Sequence, residues 1–446
     1  MSISSILNIT KQALADQRSA VNTVAKNISN INTDGYKRRR IDLNSHQAMF
    51  NSKVTADNIT RIRQRFVENQ LFYENQNLGK YQTDEMIMTQ IENIFGEPLE
   101  SGLSNIMSEF WNSWGDLAND PESQYARTIV RDKGVSLSKT FNRIYSDLDN
   151  INQQINKDIQ DKVNQVNQIV DQINSINKQV SANNSDDLMD QRDLLISNLS
   201  NLINIDIREG LNGKVTISTD GQILVSNGYV NNLSVNISRE GSITTANIQL
   251  VDGKSLVDIN SGELGSLIEI NNRYIPDYIS KLNTLASSIA EQVNAIHSKG
   301  YSVDGTTGIN FFADDVTGAN NLRVSDEVFS DPSVISTSAL INEPGDGSIA
   351  QSVFDLQFYQ GVEGNTVFDF YNTIIGQIGN QVQESGFLKK SQEMVVQNLK
   401  NQRDSVSGVS LDEEMVNLIE HEQAYQAAAR MVSTVDEMMQ TVLNML

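Results

Sequence analysis

Few residues in this sequence have the types and spacing that catalysis or metal binding requires. His421-Glu422 resembles the start of a zinc-binding helix, in which two histidines four residues apart hold the metal. Position 425 is a tyrosine, so the second ligand is missing. The segment Gly345-Asp346-Gly347-Ser348-Ile349-Ala350 fits a loose dinucleotide-binding pattern, but an aspartate stands where a pyrophosphate would lie. We expect no metal at the first segment and a turn leading into a helix at the second.

Basic residues that follow aromatic ones suggest a second kind of site. Arg127, Arg131 and Lys133 come shortly after Trp111 and Trp114, which suggests a surface for nucleic acid or sugar. Their helical spacing and the acidic balance of the chain favour core tryptophans beside a salt-bridged face. We therefore predict a structural role for these residues.

A third candidate is the basic run Lys37-Arg38-Arg39-Arg40. It directly follows the turn Asp34-Gly35 and is short for a nucleic-acid site, so we interpret it as a docking patch. The serines lack a Gly-x-Ser-x-Gly elbow, and paired carboxylates occur only on helices with amphipathic patterning. The sequence predicts a protein that is not an enzyme and needs no cofactor or metal.

The chain that carries these residues is strongly acidic and contains no cysteine. The 446 residues include 34 Lys and Arg against 56 Asp and Glu, a net charge of −22 that disfavours nucleic acid and anionic membranes as partners. The absence of cysteine excludes disulfides, thiolate metal sites and cysteine nucleophiles. No apolar run approaches the roughly 18 residues of a membrane span, and the first residues lack a Sec signal. We expect a soluble chain without a cleaved signal peptide.

Apolar repeats of seven residues mark both ends of the chain as amphipathic helices. Near the N-terminus the repeat consists of Leu7, Leu14, Val21 and Ile28, with a second seam at Ile3, Thr10, Gln17, Val24 and Ile31. Near the C-terminus it consists of Leu411, Leu418, Tyr425, Val432, Met439 and Leu446, with a second seam at Met415, Glu422, Ala429, Asp436 and Leu443. The segment Ser410 to Glu413 is a capping box that starts the second helix.

Charge favours a pairing of these two helices. Residues 1–80 carry 12 Lys and Arg against 6 Asp and Glu, whereas residues 411–446 carry seven acids and one base. Two interpretations stay open: an ordinary pair within one chain, which the spacing alone favours, and contacts between chains.

The region between the ends changes character three times. Apolar residues at helical spacing from Ile144 to Val180 predict a helix on the order of 55 Å long, and residues 186–202 predict a second helix that folds back. Short alternating segments from residue 205 predict a small β domain. They are separated by the turns Asn212-Gly213, Asp220-Gly221, Asn227-Gly228, Glu240-Gly241 and Asp252-Gly253.

Helix returns after Gly262, with a kink or break predicted at Pro276. A Gly- and Asp-rich loop region follows over 300–364, and then a helix over 368–405 that we expect to break near Ser385-Gly386. The predicted fold class is mainly α with a β insertion (α+β), with terminal coiled-coil helices, an elongated helical-bundle rod domain and a small inserted β domain. The predicted domain limits are 1–60 and 408–446 for the two assembly segments, 61–204 and 263–407 for the rod domain, and 205–262 for the β domain.

Both ends of the chain carry motifs of a known group of proteins. The segment Asn27-Ile28-Ser29-Asn30-Ile31-Asn32-Thr33-Asp34-Gly35-Tyr36, with a basic residue next, resembles the N-terminal signature of bacterial flagellar axial proteins. The segment Ser407-Gly408-Val409-Ser410-Leu411-Asp412-Glu413-Glu414 is similar to their C-terminal signature. Rod, hook and hook-associated proteins share these motifs. The helical middle, with Asp187-Leu188-Met189-Asp190-Gln191-Arg192-Asp193, is similar to the hook-associated protein 1 (FlgK) family, although the β region is small for that family.

The resemblance implies a structural protein of the extracellular flagellum, exported unfolded by the flagellar type III system. It implies self-assembly into a ring between hook and filament, with hook protein and a second junction protein of the hook-associated protein 3 type as neighbours. It also implies a cytosolic export chaperone on the C-terminal helix. The assembly residues expected on this basis are Leu7, Leu14, Val21, Ile28, Asn32, Gly35, Tyr36, Leu411, Leu418, Tyr425, Val432 and Met439.

Two other classes stay open at this point. One is another flagellar axial protein of the hook or rod type, and the other is a coiled-coil surface binding module or adhesin with the β domain as ligand platform. A hydrolase of the cell wall is the weakest alternative, because no catalytic pair is present in the sequence.

Overall fold

The computed structural model describes residues 3–41, 59–96, 102–183, 185–210, 213–226, 228–240, 243–253 and 255–445. The helices are α1 (Ile3–Ser29), α2 (Arg65–Phe95), α3 (Leu103–Asn119), α4 (Gln124–Asn183), α5 (Asp186–Leu202), α6 (Gly262–Glu269), α7 (Ile275–His297), α8 (Asp326–Ser330), α9 (Ser348–Asp355), α10 (Val367–Ser407) and α11 (Leu411–Leu443). The strands are β1 (Arg39–Ile41), β2 (Ile59–Arg61), β3 (Asp206–Glu209), β4 (Val215–Thr219), β5 (Gln222–Ser226), β6 (Tyr229–Val230), β7 (Leu233–Glu240), β8 (Ile243–Leu250) and β9 (Leu256–Val257). The predicted class, mainly α with a β insertion, is confirmed. The turn residues Asn212, Asn227 and Gly241 and the last heptad residue, Leu446, lie outside the described residues.

Helix α4 is the longest described element, with 60 residues and a length of about 90 Å. It begins well before the predicted start at Ile144, but its apolar stripe is the predicted one and is buried from Leu148 to Val180. Exposed polar residues form pairs four positions apart, such as Gln154 with Asp158 at 2.8 Å. The predicted second helix is α5, whose first turn is acidic and so suits the positive end of the helix dipole.

The chain divides into two compact units. The first unit comprises residues 1–76, 167–232 and 392–446, and the second comprises 77–166 and 233–391. The boundaries fall within α2, α4 and α10 and between β6 and β7. Both terminal helices therefore belong to the first unit.

The strands of the predicted β domain form two antiparallel sheets instead of one. The first unit holds a sheet of order β3-β4-β5-β6, and the second holds one of order β7-β8-β9. Asn177 of α4 fixes the first sheet, since its side chain donates to the Val215 carbonyl at 2.9 Å and accepts from the Val215 amide. Alternating residues predict strands, but they do not show which helix each hairpin will contact.

Helical backbone continues from Gly262 to His297, and its α-helical regularity is interrupted just before Pro276, where a kink or break was predicted. A π-helical turn, Ile270–Tyr274, joins α6 to α7. Pro276 follows it in the first turn of α7, where the missing N–H costs least. The π turn presents Asn272, whose side chain donates to the Ala246 carbonyl at 2.8 Å and accepts from the Ala246 amide at 2.9 Å. The irregular turn thereby holds strand β8.

The predicted break near Ser385-Gly386 is wrong, because α10 is continuous from Val367 to Ser407. A helical glycine costs about 1 kcal/mol relative to alanine. Ser385 itself is buried, as are Ile378 before it and Val396 after it. Their packing outweighs the weak local preference of Gly386.

Both tryptophans lie in the core of the second unit, as predicted. Trp111 and Trp114 are at most 1% exposed, and Trp114 makes edge contacts with Phe311 and with the fully buried His297. Arg127, expected on a salt-bridged face, is instead buried. Its guanidinium donates to the Ile335 carbonyl of the loop region and to the Pro121 carbonyl between α3 and α4, which satisfies the buried charge without an ion pair among the described residues.

His297 makes the stability of the second unit depend on pH. Its Nδ1 lies 2.8 Å from the Ile309 carbonyl, and its Nε2 accepts from the Ser336 amide at 2.9 Å, so the ring is neutral. Burial lowers its pKa from 6.5 to about 4. A lowered pKa in the folded state gives stability that is complete above pH 6.5 and is lost as pH falls toward 4. We expect a loss of about 1.4 kcal/mol per pH unit in this window.

The measurement is urea unfolding followed by tryptophan fluorescence, since Trp114 lies beside His297 and Trp111 is buried in the same unit. His297→Gln is expected to be less stable at neutral pH but to lose this part of the pH dependence. His421→Gln, on α11 in the other unit, is the control. Equal pH dependence in wild type and His297→Gln would contradict the assignment.

Candidate assembly site

The terminal helices α1 and α11 pack against each other in the first unit. Asn27 contacts Glu414 and Gln17 contacts His421, so the two helices are antiparallel. The buried residues of the contact are small or polar: Thr10, Ala20, Thr23, Val24 and Asn27 on α1, and Glu414, Ala428 and Val435 on α11. Small side chains let the two backbones approach closely. The charge complementarity of the chain ends is thus used within one chain.

The predicted heptad residues lie at the margins of this contact. On α1 they are half-buried: Leu7, Leu14, Val21 and Ile28. On α11, Leu418, Val432 and Met439 are half-buried, whereas Leu411 and Tyr425 are exposed. Two residues of the second seam of α1, Thr10 and Val24, are buried instead. The assembly role of the heptad residues stays a prediction.

Helix α11 keeps a large apolar surface exposed beside this contact. The exposed side chains are Leu411, Met415, Val416, Ile419, Tyr425, Met431, Met438, Val442, Leu443 and Met445. Met431 and Met438, seven residues apart, are 55% and 53% exposed. Exposed apolar side chains in this number are typical of a helix that contacts another protein.

A tight turn after α1 holds the remaining predicted residues. Gly35 has a φ of +80°, a left-handed conformation that glycine adopts without a steric penalty. Asn32 is exposed, whereas the Tyr36 hydroxyl donates to Asn27 Oδ1 at 2.8 Å. Burial raises the pKa of Tyr36 to about 12, so it remains a neutral donor. The guanidinium of Arg39 covers its ring at 5.1 Å.

Gly35→Val is expected to reduce filament attachment at least about tenfold, because positive φ costs a residue with a Cβ about 1–2 kcal/mol. The added Cβ would also lie 3.2 Å from Leu194 Cβ. The measurement is the fraction of cells with attached filaments. Fluorescence unfolding of the second unit is expected to be unchanged. Gly386→Val, at a helical glycine with open space around it, is the control. Normal attachment by the Gly35→Val chain would refute this role of the turn.

Buried ion pairs anchor the segment that follows the turn. Seven charged side chains with at most 11% exposure are clustered here: Lys37, Arg39, Arg61, Glu68, Asp190, Arg192 and Asp193. Lys37 Nζ donates to Asp193 Oδ2 at 2.6 Å, and Arg61 contacts both Asp190 and Asp193. Four buried cations therefore meet three buried carboxylates, and the exposed Asp187, which binds Arg39, adds a fourth carboxylate. Lys37 and Arg39, which belong to the predicted docking patch, form ion pairs with acidic residues of the same chain.

The two aspartates titrate differently. Burial raises the pKa of Asp190 to about 6, against the attraction of Arg61. Burial alone would also raise the pKa of Asp193, but Lys37 and Arg61 outweigh it and lower that pKa. Both aspartates belong to the segment that resembles the FlgK family, but the sequence predicts no role for them. Their spacing of three residues on one face of α5, opposite the basic run, was the available signal.

Asn27 and Glu414 are two further residues for which the sequence predicts no role. Both are 1% exposed, and Asn27 Nδ2 donates to Glu414 Oε2 at 2.9 Å. Arg38 Nε donates to Glu414 Oε1 at 2.8 Å. Three parts of the chain thus meet here: the end of α1, the segment after the turn and the start of α11.

Models of known protein families match the middle and both ends of this chain. The family model described as "Flagellar hook-associated protein FlgK helical domain" matches residues 88–312. Models described as "Flagella basal body rod protein" and "Flagellar basal body rod FlgEFG protein C-terminal" match residues 7–37 and 400–445. The chain belongs to the flagellar hook-associated protein 1 (FlgK) family. It is a structural protein of the flagellar hook–filament junction.

Relatives in the FlgK family match over nearly the whole chain. Flagellar hook-associated protein 1 of Bacillus subtilis strain 168 is 29% identical, over 98% of this chain and 97% of the relative. The protein of the same name from Salmonella typhimurium is 25% identical, over 99% and 100%. The solved flagellar hook junction protein FlgK from Burkholderia pseudomallei shares the fold, with a TM-score of 0.68 and 15% identity over 76% of this chain and all of that one.

The two segments considered for metal and dinucleotide binding make structural contacts in this FlgK-family fold. His421 faces α1, where its Nδ1 lies 2.9 Å from Gln17 Oε1. Asp346 precedes α9, and its Oδ1 accepts from the Ser348 amide at 2.9 Å, so the predicted turn into a helix is confirmed. Among the described helices, none is both long and apolar enough to cross a membrane.

Proposed function

We propose that the chain assembles into the junction ring through the α1–α11 pair, which contacts the corresponding pairs of neighbouring copies. The observation that carries this proposal is the apolar surface that α11 keeps exposed beside α1. Burial of such surface between copies is worth about 25 cal/mol per Å². A contact between two different sides of the pair repeats from copy to copy, and it closes into a ring when the rotation fits.

Charge on the outer faces supports contact between copies. Helix α1 exposes Lys11, Arg18 and Lys26, whereas α11 exposes Glu420 and Glu437. Opposite charges on the two helices attract neighbouring pairs and disfavour contacts between like faces. The half-buried heptad residues at the margins of the pair complete this contact.

The ring has a different neighbour on each side. Hook protein contacts one side, and a second junction protein of the hook-associated protein 3 type contacts the other. The role is structural, without catalysis, nucleic acid or membrane. The names of the relatives, which place them at the hook, support this arrangement.

The chain reaches the extracellular flagellum by unfolded export through the flagellar type III system. The absence of cysteine suits this route, since no disulfide can obstruct passage. A small cytosolic chaperone covers the apolar face of α11 before export, in the manner of a helix in a groove. Removal of residues 408–446 is expected to abolish chaperone binding. Undiminished affinity of the shortened chain for the chaperone would count against this binding site on α11.

Deletion of the gene in its host tests the junction role. The expected result is hooks without filaments in electron micrographs and abundant monomeric flagellin in the medium, both restored by a plasmid copy. Full filaments in the deletion strain would overturn the proposal. Loss of the hook itself would favour a hook or rod protein, and normal flagella with loss of surface binding would favour an adhesin.

A further inference from the structure

We infer that Asn27 and Glu414 fix the register between α1 and α11, and that this alignment is required for joining the ring; the inference rests on the proposed function. Neither residue belongs to the predicted apolar stripes. Both are positioning residues, because they set which residues the paired helices present to the next copy.

Asn27 uses its full hydrogen-bonding capacity in this one alignment. Its Nδ2 donates to the Arg39 carbonyl and to Glu414 Oε2, both at 2.9 Å. Its Oδ1 accepts from the Tyr36 hydroxyl at 2.8 Å and from the Arg39 amide at 3.1 Å. An amide has two donors and two acceptor positions, so no group is left over. An apolar residue cannot replace this pattern, and a carboxylate lacks the two donors that Arg39 and Glu414 accept from.

Glu414 gives the contact its selectivity. It is 1% exposed in the first turn of α11, and its two oxygens bind Arg38 and Asn27. A slip of α11 by one turn would place Ser410 or Leu418 opposite Asn27. Ser410 precedes the helix and Leu418 has no acceptor, so each slip leaves the buried amide unpaired.

The contact also joins the terminal helices to the body of the first unit. Asn27 holds both backbone groups of Arg39, the first residue of β1. Arg39 pairs in turn with Asp187 and Asp190 of α5. The apolar margins of the pair can slide by whole turns at little cost, whereas this polar network accepts one alignment. A buried polar contact that specifies register is a known device of paired helices.

A charge-swap experiment tests the contact. Asn27→Asp places a carboxylate against Glu414 and removes the donor, so we expect the fraction of cells with filaments to fall at least about tenfold. Glu414→Gln keeps an acceptor for Asn27 and is expected to fall about threefold or less. In the double variant the carboxylate at position 27 accepts from the amide at position 414, and attachment is expected to recover well above the Asn27→Asp level. Asn22→Asp, on the exposed face of α1, is the matched control.

Each outcome decides the inference. Wild-type attachment by Asn27→Asp, or a double variant no better than Asn27→Asp, would overturn the inference about register. A deletion strain without filaments would still leave the proposed function intact. If Asn27→Asp fails to accumulate in the medium, recovery of accumulation and attachment in the double variant still supports the contact. Unchanged fluorescence unfolding of the second unit separates loss of register from general unfolding. Full filaments in the deletion strain would instead overturn the function itself.

Discussion

Val24→Asp is expected to abolish filament attachment. Val24 is 6% exposed and belongs to the buried side of α1, where a carboxylate loses its water. An unpaired buried charge of this kind costs at least about 3 kcal/mol, which lowers the population of correctly paired helices by about two orders of magnitude. The measurement is the number of attached filaments per cell in a complemented deletion strain, together with monomeric flagellin in the medium.

Ala25→Asp is the matched control, because Ala25 is the next residue on α1 and its side chain is exposed. We expect filaments to attach normally with this variant. Both variants are expected to show wild-type fluorescence unfolding, since the tryptophans lie in the second unit. Normal attachment by Val24→Asp would show that the α1–α11 contact is not needed in the flagellum.

Met431→Lys combined with Met438→Lys is expected to prevent ring formation without disturbing the single chain. Both side chains are more than half exposed, so the free chain loses little packing. In the ring, two lysines would be buried against apolar neighbours, and each isolated charge costs several kcal/mol. We expect attachment to fall at least about a hundredfold while export and circular dichroism stay the same.

Gln426→Lys combined with Ser433→Lys is the control for charge and spacing. These residues are also exposed on α11 and seven positions apart, but they are already polar. The control is expected to attach filaments far better than the methionine variant. Equal loss in both would mean that added positive charge on α11, and not apolar burial, prevents assembly.

The long helices were predictable because their apolar residues repeat at the helical period over many turns. The stripe from Leu148 to Val180 needs no information from distant parts of the chain. The break near Gly386 was wrong for the complementary reason. A local preference worth about 1 kcal/mol is easily outweighed by packing that the sequence does not display.

The pairing of the chain ends was predictable, but its phase was not. A seven-residue repeat identifies stripes such as Leu7 to Ile28 without showing which stripe faces the partner. That choice depends on which residues of the two helices lie opposite each other, and this requires knowing the register. Register depends in turn on Asn27 and Glu414, whose polar side chains carry no periodic signal. The division of the β strands between two sheets likewise depends on contacts with distant residues such as Asn177.

The most direct test of the paired terminal helices is chemical cross-linking in intact flagella. The chain has no cysteine, so Gln17→Cys combined with His421→Cys introduces the only two thiols. The two native side chains touch, with Gln17 Oε1 and His421 Nδ1 2.9 Å apart. Purified hook–filament joints would be treated with a short bis-maleimide and examined on denaturing gels. We predict a cross-link within each single chain, and none with Asn22→Cys and His421→Cys. Uncross-linked chains in attached flagella, or links only between different chains, would contradict the account.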